Sequence, residues 1–564
     1  MPATWIRLIF TAVLMLPLAA AQQAASAPPV VAPKCEAEQL LCDLLPSSSK
    51  ERRIHAIEQI ARVEDRRYTA PLIDLLRFLK DPSEYTQSII ALNKLTGKDW
   101  SNSSDPVDDL IIWYGEHSEL KPPPGYTGWK GELHAELIDP RFRDFLYYGA
   151  PATVRVEEVV WGGVKVDGIP ALVNAPMIPA GSAAYLKDND PVFGVSINGD
   201  NRAYPLRILD WHEMANDVVG GKTVALAYCT LCGSGILYDA SAGGKTFLFG
   251  SSGFLFRSNK LMYDRESKTL WNQLTAQPVI GKLANSGITL KILPVVLTSW
   301  GEWRRDHPDT KVLDIKTGFN RPYELGASYG RYFGSAETMF PVWQQSKRLP
   351  KKARVFALQN EGLAKAYPLE TLNRENGLVN DVLGTTPVVV IYRDAVGRVP
   401  LPADWLAAME ELKRKKASVT YANDLTLDDA RAVLKKHPAL AQQMTANFLL
   451  AMPTEARLPL LDERASKSPS GADVSEGTIS ADLRNEVAER GLIGETRAYQ
   501  RGMHRFTSFA GTQVTDDKGM NWTMTEEALI SSSGEKLPRM GGHLAYWFGW
   551  FSFYPKTEVY ESKR

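Results

Sequence analysis

The chain has 564 residues, enough for about three or four domains, and 65 basic residues balance 65 acidic ones to give a formal net charge of zero. With its charges balanced, the sequence shows no cluster of basic residues like those by which proteins bind nucleic acid or anionic lipid. Only four residues are cysteine, too few for a disulfide-stapled scaffold of this length, so we expect the cysteines to serve local roles.

The first 21 residues have the pattern of a secretory signal peptide. Arg7 is the only charged residue among them, residues 8–20 are an apolar run interrupted by Thr11 and Pro17, and small residues follow. This run is too short to span a membrane, and no later stretch reaches the ~18 apolar residues that a spanning helix needs. We therefore predict a mature protein without a transmembrane segment, beginning near Gln22 and located in the periplasm or secreted.

Residues 22–34 are rich in Ala, Pro, Gln and Ser and are predicted to be a disordered leader, and residues 35–120 are predicted to be helical. Apolar residues recur there at helical spacing: Ile54, Ile57, Ile60 and Ala61, then Leu72, Leu75, Leu76 and Leu79, then Ile89, Ile90, Leu92 and Leu95. Three short amphipathic helices, with a fourth over residues 106–117, fit either a HEAT-like stack or a plain helical bundle. This part is our candidate surface for a protein partner. Cys35 and Cys42 can pair only if one continuous helix does not hold both.

Pro122-Pro-Pro-Gly125 breaks the helical pattern, and we predict that residues 121–190 are a linker and entry segment leading into a β-rich part. Alternating apolar runs bounded by Gly, Asn and Asp predict strands at residues 192–197, 223–228 and 245–249. One helical stretch over residues 206–218 interrupts them. The predicted fold class is α+β, with a helical N-terminal domain followed by β-rich modules.

An internal repeat divides the β-rich part into two predicted homologous modules, residues 191–353 and 354–564. The repeated segments, first copy before second, are Val192-Phe193 and Val355-Phe356, Ala203-Tyr-Pro-Leu206 and Ala366-Tyr-Pro-Leu369, Asn216-Asp217 and Asn380-Asp381, and Trp300-x-x-Trp303 and Trp547-x-x-Trp550. The second module carries a helical insertion at about residues 400–480, which is Ser- and Gly-rich at its end.

Residues that both copies keep are predicted to be scaffold, and residues that one copy alone has are candidates for chemistry. Cys229 corresponds to Arg393 in the second copy, and neither Cys232 nor His212 has a counterpart of its own type there. We therefore expect the functional site in the first module.

The motif Cys229-Thr-Leu-Cys232-Gly233 follows one apolar strand and precedes another, so it is predicted to form a tight turn between strands. Two thiolates are half of a tetrahedral metal site, and soft sulfur suits zinc or copper. His212 is the candidate third ligand, and Met262, Asp264 and Glu213 are the nearest plausible additions.

The leading hypothesis from these residues is a transition-metal centre at Cys229, Cys232 and His212 with Met262, which would hold zinc or copper and could be catalytic. Two alternatives stay open at this point. In an oxidising compartment Cys229 and Cys232 could form a structural disulfide in a non-enzymatic binding or scaffold protein. The same pair could instead be a redox-active dithiol. The reaction and substrate are not predicted.

Four segments of the chain resemble a bacterial family catalogued as a domain of unknown function, DUF3179. They are Trp161-Gly-Gly-Val-Lys-Val-Asp-Gly-Ile-Pro170, Ala203-Tyr-Pro-Leu-Arg-Ile-Leu-Asp-Trp-His212-Glu, Tyr228-Cys-Thr-Leu-Cys-Gly-Ser-Gly235, and Ser258-Asn-Lys-Leu-Met-Tyr-Asp-Arg265 through Trp271. The resemblance covers about residues 150–330, with a weaker echo toward the C-terminus. It leaves out the helical N-terminal part and the insertion, and it implies no established activity.

Overall fold

The computed structural model describes residues 35–394, 396–412, 419–461 and 479–562. The predicted signal peptide, the predicted leader and most of the Ser- and Gly-rich segment lie outside these described residues. Within the described ranges, no helix has the length and apolar character needed to cross a membrane.

The N-terminal part of the described chain is helical, as its apolar periodicity predicts. Its helices are α1 (Gln39–Asp43), α2 (Lys50–Val63), α3 (Thr69–Leu76), α4 (Pro82–Thr96), α5 (Pro106–Glu116), α6 (Tyr126–Leu137) and α7 (Phe142–Phe145). The side chains of Ser49 and Asp81 cap α2 and α4 by accepting backbone N–H groups of the first turn. Helix α4 packs against both α2 and α3. Whether this part binds a protein partner stays a prediction.

Helix α6 lies inside residues 121–190, the predicted linker and entry segment, at a place where the sequence pattern predicts no helix. Its apolar Trp129 and Leu133 are buried, but so are its polar Lys130 and His134. Lys130 donates from Nζ to Asp74 at 2.9 Å, which makes its burial tolerable. A helix that is enclosed on several sides has no solvent-facing polar side. Because some of its buried positions hold polar residues, α6 lacks the regular spacing of apolar residues by which an amphipathic helix is recognised in a sequence.

The first β-rich part, residues 159–333, contains most of the strands that frame the cysteine motif. Its elements are β1 (Val159–Trp161), β2 (Leu172–Val173), β3 (Met177–Pro179), β4 (Pro191–Ile197), β5 (Asp200–Pro205), α8 (Leu206–His212), β6 (Met214–Val219), β7 (Lys222–Cys229), β8 (Ser234–Asp239), β9 (Ser241–Ala242), β10 (Lys245–Thr246), β11 (Phe249–Phe256), β12 (Asn259–Asp264), β13 (Leu270–Asn272), β14 (Gln277–Ile280), β15 (Ile292–Leu293), β16 (Val296–Ser299), α9 (Trp300–Asp306), β17 (Lys311–Leu313) and α10 (Gly330–Phe333).

These strands form three main sheets, with the orders β16-β4-β5-β17-β3, β15-β8-β7-β6-β2 and β1-β11-β12-β13-β14. The helix predicted over residues 206–218 is shorter than expected. Helix α8 ends at His212 because Glu213 takes a left-handed conformation (φ 54°), and the chain continues as strand β6. The reversal places His212 and Cys229 on different elements.

The second β-rich part, residues 354–562, has its own sheets and a helical insertion. Its elements are β18 (Arg354–Asn360), β19 (Leu363–Pro368), α11 (Leu369–Arg374), β20 (Leu378–Leu383), β21 (Thr386–Arg393), α12 (Ala403–Glu411), α13 (Leu427–Lys436), α14 (Ala446–Ala451), α15 (Thr454–Leu461), α16 (Ala481–Arg490), β22 (Glu495–Gln500), β23 (Phe506–Ala510), β24 (Gln513–Asp516), β25 (Asn521–Met524), β26 (Ala528–Ser531), β27 (Lys536–Pro538), β28 (Gly542–Tyr546), α17 (Trp547–Phe551) and β29 (Glu558–Val559). The sheet orders are β28-β18-β19-β29, β20-β21-β22 and β23-β24-β25-β26-β27.

Corresponding strands in the two parts pair in the same way. In the first part β4 and β5 form an antiparallel hairpin, and β17 adds to β5 in parallel with Val312 opposite Ala203. In the second part β18 and β19 form the hairpin, and β29 adds to β19 in parallel with Val559 opposite Ala366. Residues 192–312 and residues 355–559 therefore share this strand order.

Corresponding polar side chains also make the same hydrogen bonds. The side-chain amide of Asn216 bonds both the carbonyl and the N–H of Phe249, and Asn380 does the same with Phe506. The remaining matched bonds run from Trp303 Nε1 to Thr310 Oγ1 and from Trp550 Nε1 to Thr557 Oγ1, from Tyr204 to Asp217 and from Tyr367 to Asp381, and from Trp271 to Asp264 and from Trp522 to Asp516.

One apolar core extends through both β-rich parts and encloses the cysteine motif. It contains Phe193 and Tyr228 from the first part and Phe356 and Tyr546 from the second, each almost fully buried. Cys229 and Cys232 belong to the same cluster. The two parts therefore bury the motif between them rather than leaving it on the surface of one.

Candidate functional site

The cysteine motif forms the turn between β7 and β8, as the flanking apolar runs predict. Cys229 is the last residue of β7 and lies opposite Ser234, the first residue of β8. Gly233 closes the turn in a left-handed conformation (φ 56°), and its N–H donates to the carbonyl of Thr230 at 3.3 Å. A glycine adopts this conformation without the steric cost that a Cβ atom would bring.

Both cysteines of the motif are free thiols and are buried, with exposed fractions of 1% for Cys229 and 0% for Cys232. The other two cysteines, Cys35 and Cys42, are disulfide-bonded, and Cys35 precedes the helix that holds Cys42. In this structure Cys229 and Cys232 therefore do not form a disulfide with each other.

The two thiols differ in acidity. Burial raises the pKa of the Cys229 thiol, but hydrogen bonds from the Cys232 thiol and from the backbone N–H of Lys260 outweigh it and leave the pKa below its usual value. Burial raises the pKa of Cys232 well above its usual value, and its bond to Cys229 adds to the rise. The pair therefore ionises at Cys229, with the remaining proton on Cys232.

The hairpin between β11 and β12 surrounds the Cys232 sulfur. The sulfur lies 3.4 Å from the carbonyl oxygen of Ser258, and the side-chain amide of Asn259 donates to it at 3.5 Å. Arg257 and Ser258 both take left-handed conformations at this turn, with φ of 52° and 59°. Such conformations cost non-glycine residues ~1 kcal/mol or more each, and the bonds of Arg257 to Glu158, Gln344 and the Ser552 carbonyl help to hold this turn in place.

A buried ion pair lies beside the Cys229 thiol. Lys260 Nζ donates to the backbone carbonyl of Glu213 at 2.7 Å and lies 3.6 Å from its carboxylate. Thr230, inside the motif, donates to the same carboxylate at 3.0 Å. Burial lowers the pKa of Lys260, whereas Glu213 and Cys229 oppose that change. The ammonium group favours the Cys229 thiolate, and the Glu213 carboxylate disfavours it.

The imidazole of His212 makes its hydrogen bonds with residues other than the two cysteines of the motif. Its Nδ1 lies 2.8 Å from the carbonyl oxygen of Pro170, its Nε2 lies 2.6 Å from the hydroxyl of Tyr323, and the ring packs on Phe319. Within the part of the chain that the structure describes, no three His, Cys, Asp or Glu side chains are grouped so that they could hold a metal ion. The predicted convergence of His212 with the two cysteines is therefore not present in this arrangement.

Met262 and Asp264 also have other partners. Met262 packs in an apolar cluster with Phe249 and Trp271 that contains neither cysteine of the motif. Asp264 accepts hydrogen bonds from Trp271 Nε1 at 3.0 Å and from Ser267. Of the additional candidates that the sequence suggests, only Glu213 lies beside the motif.

The chain between β17 and β18 contacts the site. Tyr332 donates from its hydroxyl to the carbonyl of Leu231, in the middle of the motif, at 2.6 Å. Ser328 donates to the backbone carbonyl of Asp210 at 3.3 Å. The segment around α10 therefore helps to separate the thiols from solvent.

Two buried carboxyl groups, those of Asp210 and Glu489, also lie near the motif. Burial raises the pKa of Glu489 to about 7 and raises that of Asp210 well above its usual value, and the two carboxyls interact with each other. They lie on α16 and α8, so elements from both β-rich parts meet there. Two adjacent buried carboxyls retain a proton between them at neutral pH.

Sequence reasoning missed Lys260, the carboxyl pair and the hydroxyl of Tyr332. Lys260 belongs to the Ser258-Asn-Lys segment that carries part of the family resemblance. It lies two residues before Met262 on the same strand, β12, so the sequence alone does not distinguish which of these residues lies beside the sulfurs.

Comparison with known proteins identifies one family. The family described as "Protein of unknown function (DUF3179)" has a model that matches residues 166–447, which is half of the chain. This match confirms the family resemblance and extends it into the second β-rich part. It also covers residues 400–447 of the helical insertion, so the prediction that the insertion lies outside the family is wrong for that part. Searches of the curated proteins and of the solved structures give no match.

Proposed function

The chain belongs to the DUF3179 family, whose description assigns no activity, and from its site we propose that Cys229 and Cys232 form a redox-active dithiol. The observation that carries this proposal is the presence of two free, adjacent thiols in one tight turn, and the lowered pKa of Cys229 beside the raised pKa of Cys232 agrees with it. A dithiol that exchanges with disulfides needs one thiol to ionise readily and a second, protonated thiol to resolve the intermediate.

The proposed reaction is thiol–disulfide exchange with a small disulfide. The Cys229 thiolate attacks one sulfur of the substrate, the substrate S–S bond breaks, and one substrate thiolate leaves. The Cys232 sulfur then attacks Cys229 Sγ, and the second substrate thiolate leaves with the proton of Cys232. The net result is a Cys229–Cys232 disulfide, with two electrons and one proton passed to the substrate. Burial of both sulfurs favours a low-molecular-weight substrate over a protein disulfide.

Equilibration with glutathione buffers tests the proposal. The protein is incubated at stepped ratios of reduced to oxidised glutathione, quenched with acid, unfolded, alkylated and weighed by mass spectrometry. We expect both Cys229 and Cys232 to be alkylated at reducing ratios and neither to be alkylated at oxidising ratios. The two sites should change together, as a two-electron couple does. The Cys35–Cys42 disulfide is the internal control and should stay oxidised at ratios that reduce the motif.

Single variants identify the attacking sulfur. Cys232→Ser should accumulate one glutathione on Cys229, because the resolving thiol is gone, and Cys229→Ser should accumulate much less. A motif that keeps two alkylatable thiols at every ratio, with no mixed disulfide in either variant, contradicts the redox proposal.

Metal binding is the second candidate, favoured by the presence of two free thiols in one turn. Zinc or copper would be held by Cys229 and Cys232, and Cu(I) suits soft sulfur ligands best. His212 would have to give up its bond to Tyr323 to join them. Elemental analysis of protein purified without chelators tests this candidate: stoichiometric zinc or copper that Cys229→Ser loses supports it, and metal-free protein with two titratable thiols opposes it.

Export to an oxidising compartment is also part of the proposal. The Cys35–Cys42 disulfide supports it, because disulfides persist mainly outside the cytosol. The signal-peptide pattern of residues 1–21 points the same way. N-terminal sequencing of protein from the periplasmic fraction should find a mature chain that begins near Gln22, and protein confined to the cytoplasm with an intact Met1 would contradict export.

A duplicated module is our explanation for the likeness of the two β-rich parts. The matched strand pairings and the matched hydrogen bonds of Asn216 and Asn380 support it. On this view the first copy kept or gained the cysteines, and the second copy serves mainly to bury them. Replacement of Asn216 or of Asn380 by Ala should lower the free energy of unfolding by similar amounts, ~1–3 kcal/mol. A loss in one variant alone would argue against equivalent roles.

A further inference from the structure

Two arginines, Arg354 and Arg457, are buried side by side next to a cleft in the second β-rich part. Their exposed fractions are 7% and 9%. Each lines both a small pocket that also contacts Tyr546 and an adjoining cleft of about 440 Å³. Burial lowers the pKa of both guanidinium groups, and the charge of Arg457 lowers that of Arg354 further, so the two positive charges repel each other.

Within the described residues, the guanidinium of Arg354 bonds only neutral groups. Its Nη1 donates to the carbonyl of Gly233 at 2.7 Å and its Nη2 donates to the carbonyl of Leu492 at 2.8 Å. Its Nε is buried without a hydrogen-bond partner. Among the described residues, no carboxylate forms an ion pair with this side chain.

Arg457 is in the same situation. Its Nη1 donates to the carbonyl of Leu450 at 2.9 Å, and a Cβ atom placed on Gly491 would lie 3.6 Å from its Nη2. The negative charge of Glu370 raises the pKa of Arg457 and so opposes the effect of burial. The Glu370 carboxylate accepts a hydrogen bond from the backbone N–H of Thr454. Within the described ranges no ion pair joins Arg457 to Glu370 or to another carboxylate. Two buried cations without a counterion are unfavourable unless an anion accompanies them.

The lining of the cleft mixes apolar side chains with charged ones, and the charged ones carry a positive excess. Five arginines and three carboxylates line it: Arg354, Arg374, Arg398, Arg457 and Arg490, with Glu370, Asp394 and Asp424. Arg398 is neutralised by Asp424 at 2.8 Å, and Arg490 pairs with Glu486 at 2.7 Å. Among the described residues, the lining arginines without an ion pair are Arg354, Arg374 and Arg457, and of these only Arg354 and Arg457 are buried.

We propose that this cleft binds a small anion whose oxyanion head group, phosphate or carboxylate, lies between Arg354 and Arg457. Planar guanidinium groups bind both head groups through paired N–H donors, and the buried position strengthens each bond. The cleft volume leaves room for an organic remainder beyond the head group. The site is separate from the thiol pair, although Arg354 also bonds the glycine that follows Cys232.

Titration calorimetry of the mature chain tests the site with two probes, inorganic phosphate and malonate. Both are titrated at constant ionic strength, so that screening does not change between injections. We expect at least one probe to bind with a one-to-one stoichiometry. Tighter binding of phosphate identifies a phosphorylated ligand class, and tighter binding of malonate identifies a carboxylate class.

Arg457→Gln is expected to lower the affinity for the probe at least about tenfold, since it removes one pair of charged N–H donors. Arg398→Gln is the matched control, because Arg398 lines the same cleft but is already paired with Asp424, and it should bind within about twofold of wild type. If Arg457→Gln does not fold, the midpoint of thermal unfolding of the wild type supplies the measurement: phosphate or malonate should raise it above its value in chloride of equal ionic strength.

Failure of both probes to bind or stabilise the wild-type protein would overturn the proposal, as would unchanged affinity in Arg457→Gln. Neither outcome bears on thiol exchange at Cys229, because the measurement involves no sulfur chemistry.

Discussion

Charged neighbours control the acidity of the Cys229 thiol. Lys260 and Glu213 act on it in opposite directions: the ammonium favours the thiolate, and the carboxylate favours the thiol. Both are buried, with exposed fractions of 3% and 6%, so solvent screens their fields little. Their effects on Cys229 should therefore be separable by substitution.

Lys260→Met should raise the pKa of Cys229, and Glu213→Gln should lower it. A pKa that moves by about one pH unit changes the ratio of thiolate to thiol about tenfold at a fixed pH. The ultraviolet absorbance of the thiolate, recorded against pH, follows the titration in both variants, and Cys35 and Cys42 do not contribute because they are disulfide-bonded. Lys245→Met, at an exposed lysine, is the control and should leave the titration unchanged. A Cys229 pKa that moves in the same direction in both variants would contradict this electrostatic arrangement.

His212 is expected to support the fold rather than ligate a metal. Replacement by Ala removes bonds to Pro170 and Tyr323 and should lower the free energy of unfolding by ~1–3 kcal/mol. Tyr323→Phe removes one of those bonds and should cost less, about 1 kcal/mol. Urea unfolding measures both losses. A His212→Ala protein of unchanged stability that loses a stoichiometric metal would instead restore the predicted ligand role.

At the scale of elements, the turn between β7 and β8 depends on Gly233. A Cβ atom there would lie 2.6 Å from Arg354 Nη1 and 3.0 Å from the ring of Tyr546, in addition to the cost of its positive φ. Residues of the second β-rich part therefore approach the turn too closely for a side chain at position 233. This close approach explains why the motif has a glycine there.

Gly233→Ala should lower the free energy of unfolding by about 2–4 kcal/mol, the sum of backbone strain and displacement of neighbours. Gly244→Ala, between β9 and β10, is the matched control: it also has a positive φ (74°), but no atom lies within 4 Å of its added Cβ, so about 1–2 kcal/mol is expected. Chemical denaturation gives both values. Equal losses would show that the contact with Arg354 relaxes without cost.

At the scale of the whole molecule, buried histidines and carboxyls link stability to pH with opposite signs. Burial lowers the pKa of His134 to about 3 and that of His543 to about 4. At pH 7 both are largely neutral in the folded and unfolded chains. As pH falls below 6.5 the unfolded chain gains protons that the folded chain does not bind, so stability is lost. The raised pKa of Glu489 acts in the other direction, because the folded chain binds that proton first.

Comparison of a variant with the wild type isolates one histidine. Between pH 6.5 and 5, His543 should cost the wild type about 2 kcal/mol of unfolding free energy, at ~1.4 kcal/mol per pH unit. His543→Gln lacks this cost, so its stability relative to wild type should improve by that amount between pH 7 and pH 5. Urea unfolding at the two pH values measures the difference. A constant difference would mean that His543 also binds a proton in the folded chain.

Local pattern was enough for several features. Apolar periodicity predicted helices α2 to α4, apolar runs predicted the strands on both sides of the cysteine turn, and the family segments predicted membership in DUF3179. These features follow from contacts between residues close in sequence or from faces that meet one core.

The tertiary structure decided the rest, because the deciding contacts are distant in sequence. Helix α6 is enclosed by other elements, so its polar buried residues hide its period. His212 meets Tyr323 rather than the sulfurs because α8 ends at His212 and the chain reverses. The Lys260 ion pair and the Arg354–Arg457 pair arise only where separate strands and helices pack together. Sequence by itself determined where the two cysteines of the motif lie along the chain. Packing of elements distant in sequence determined their acidity and their burial, since both depend on which charges and apolar groups surround them.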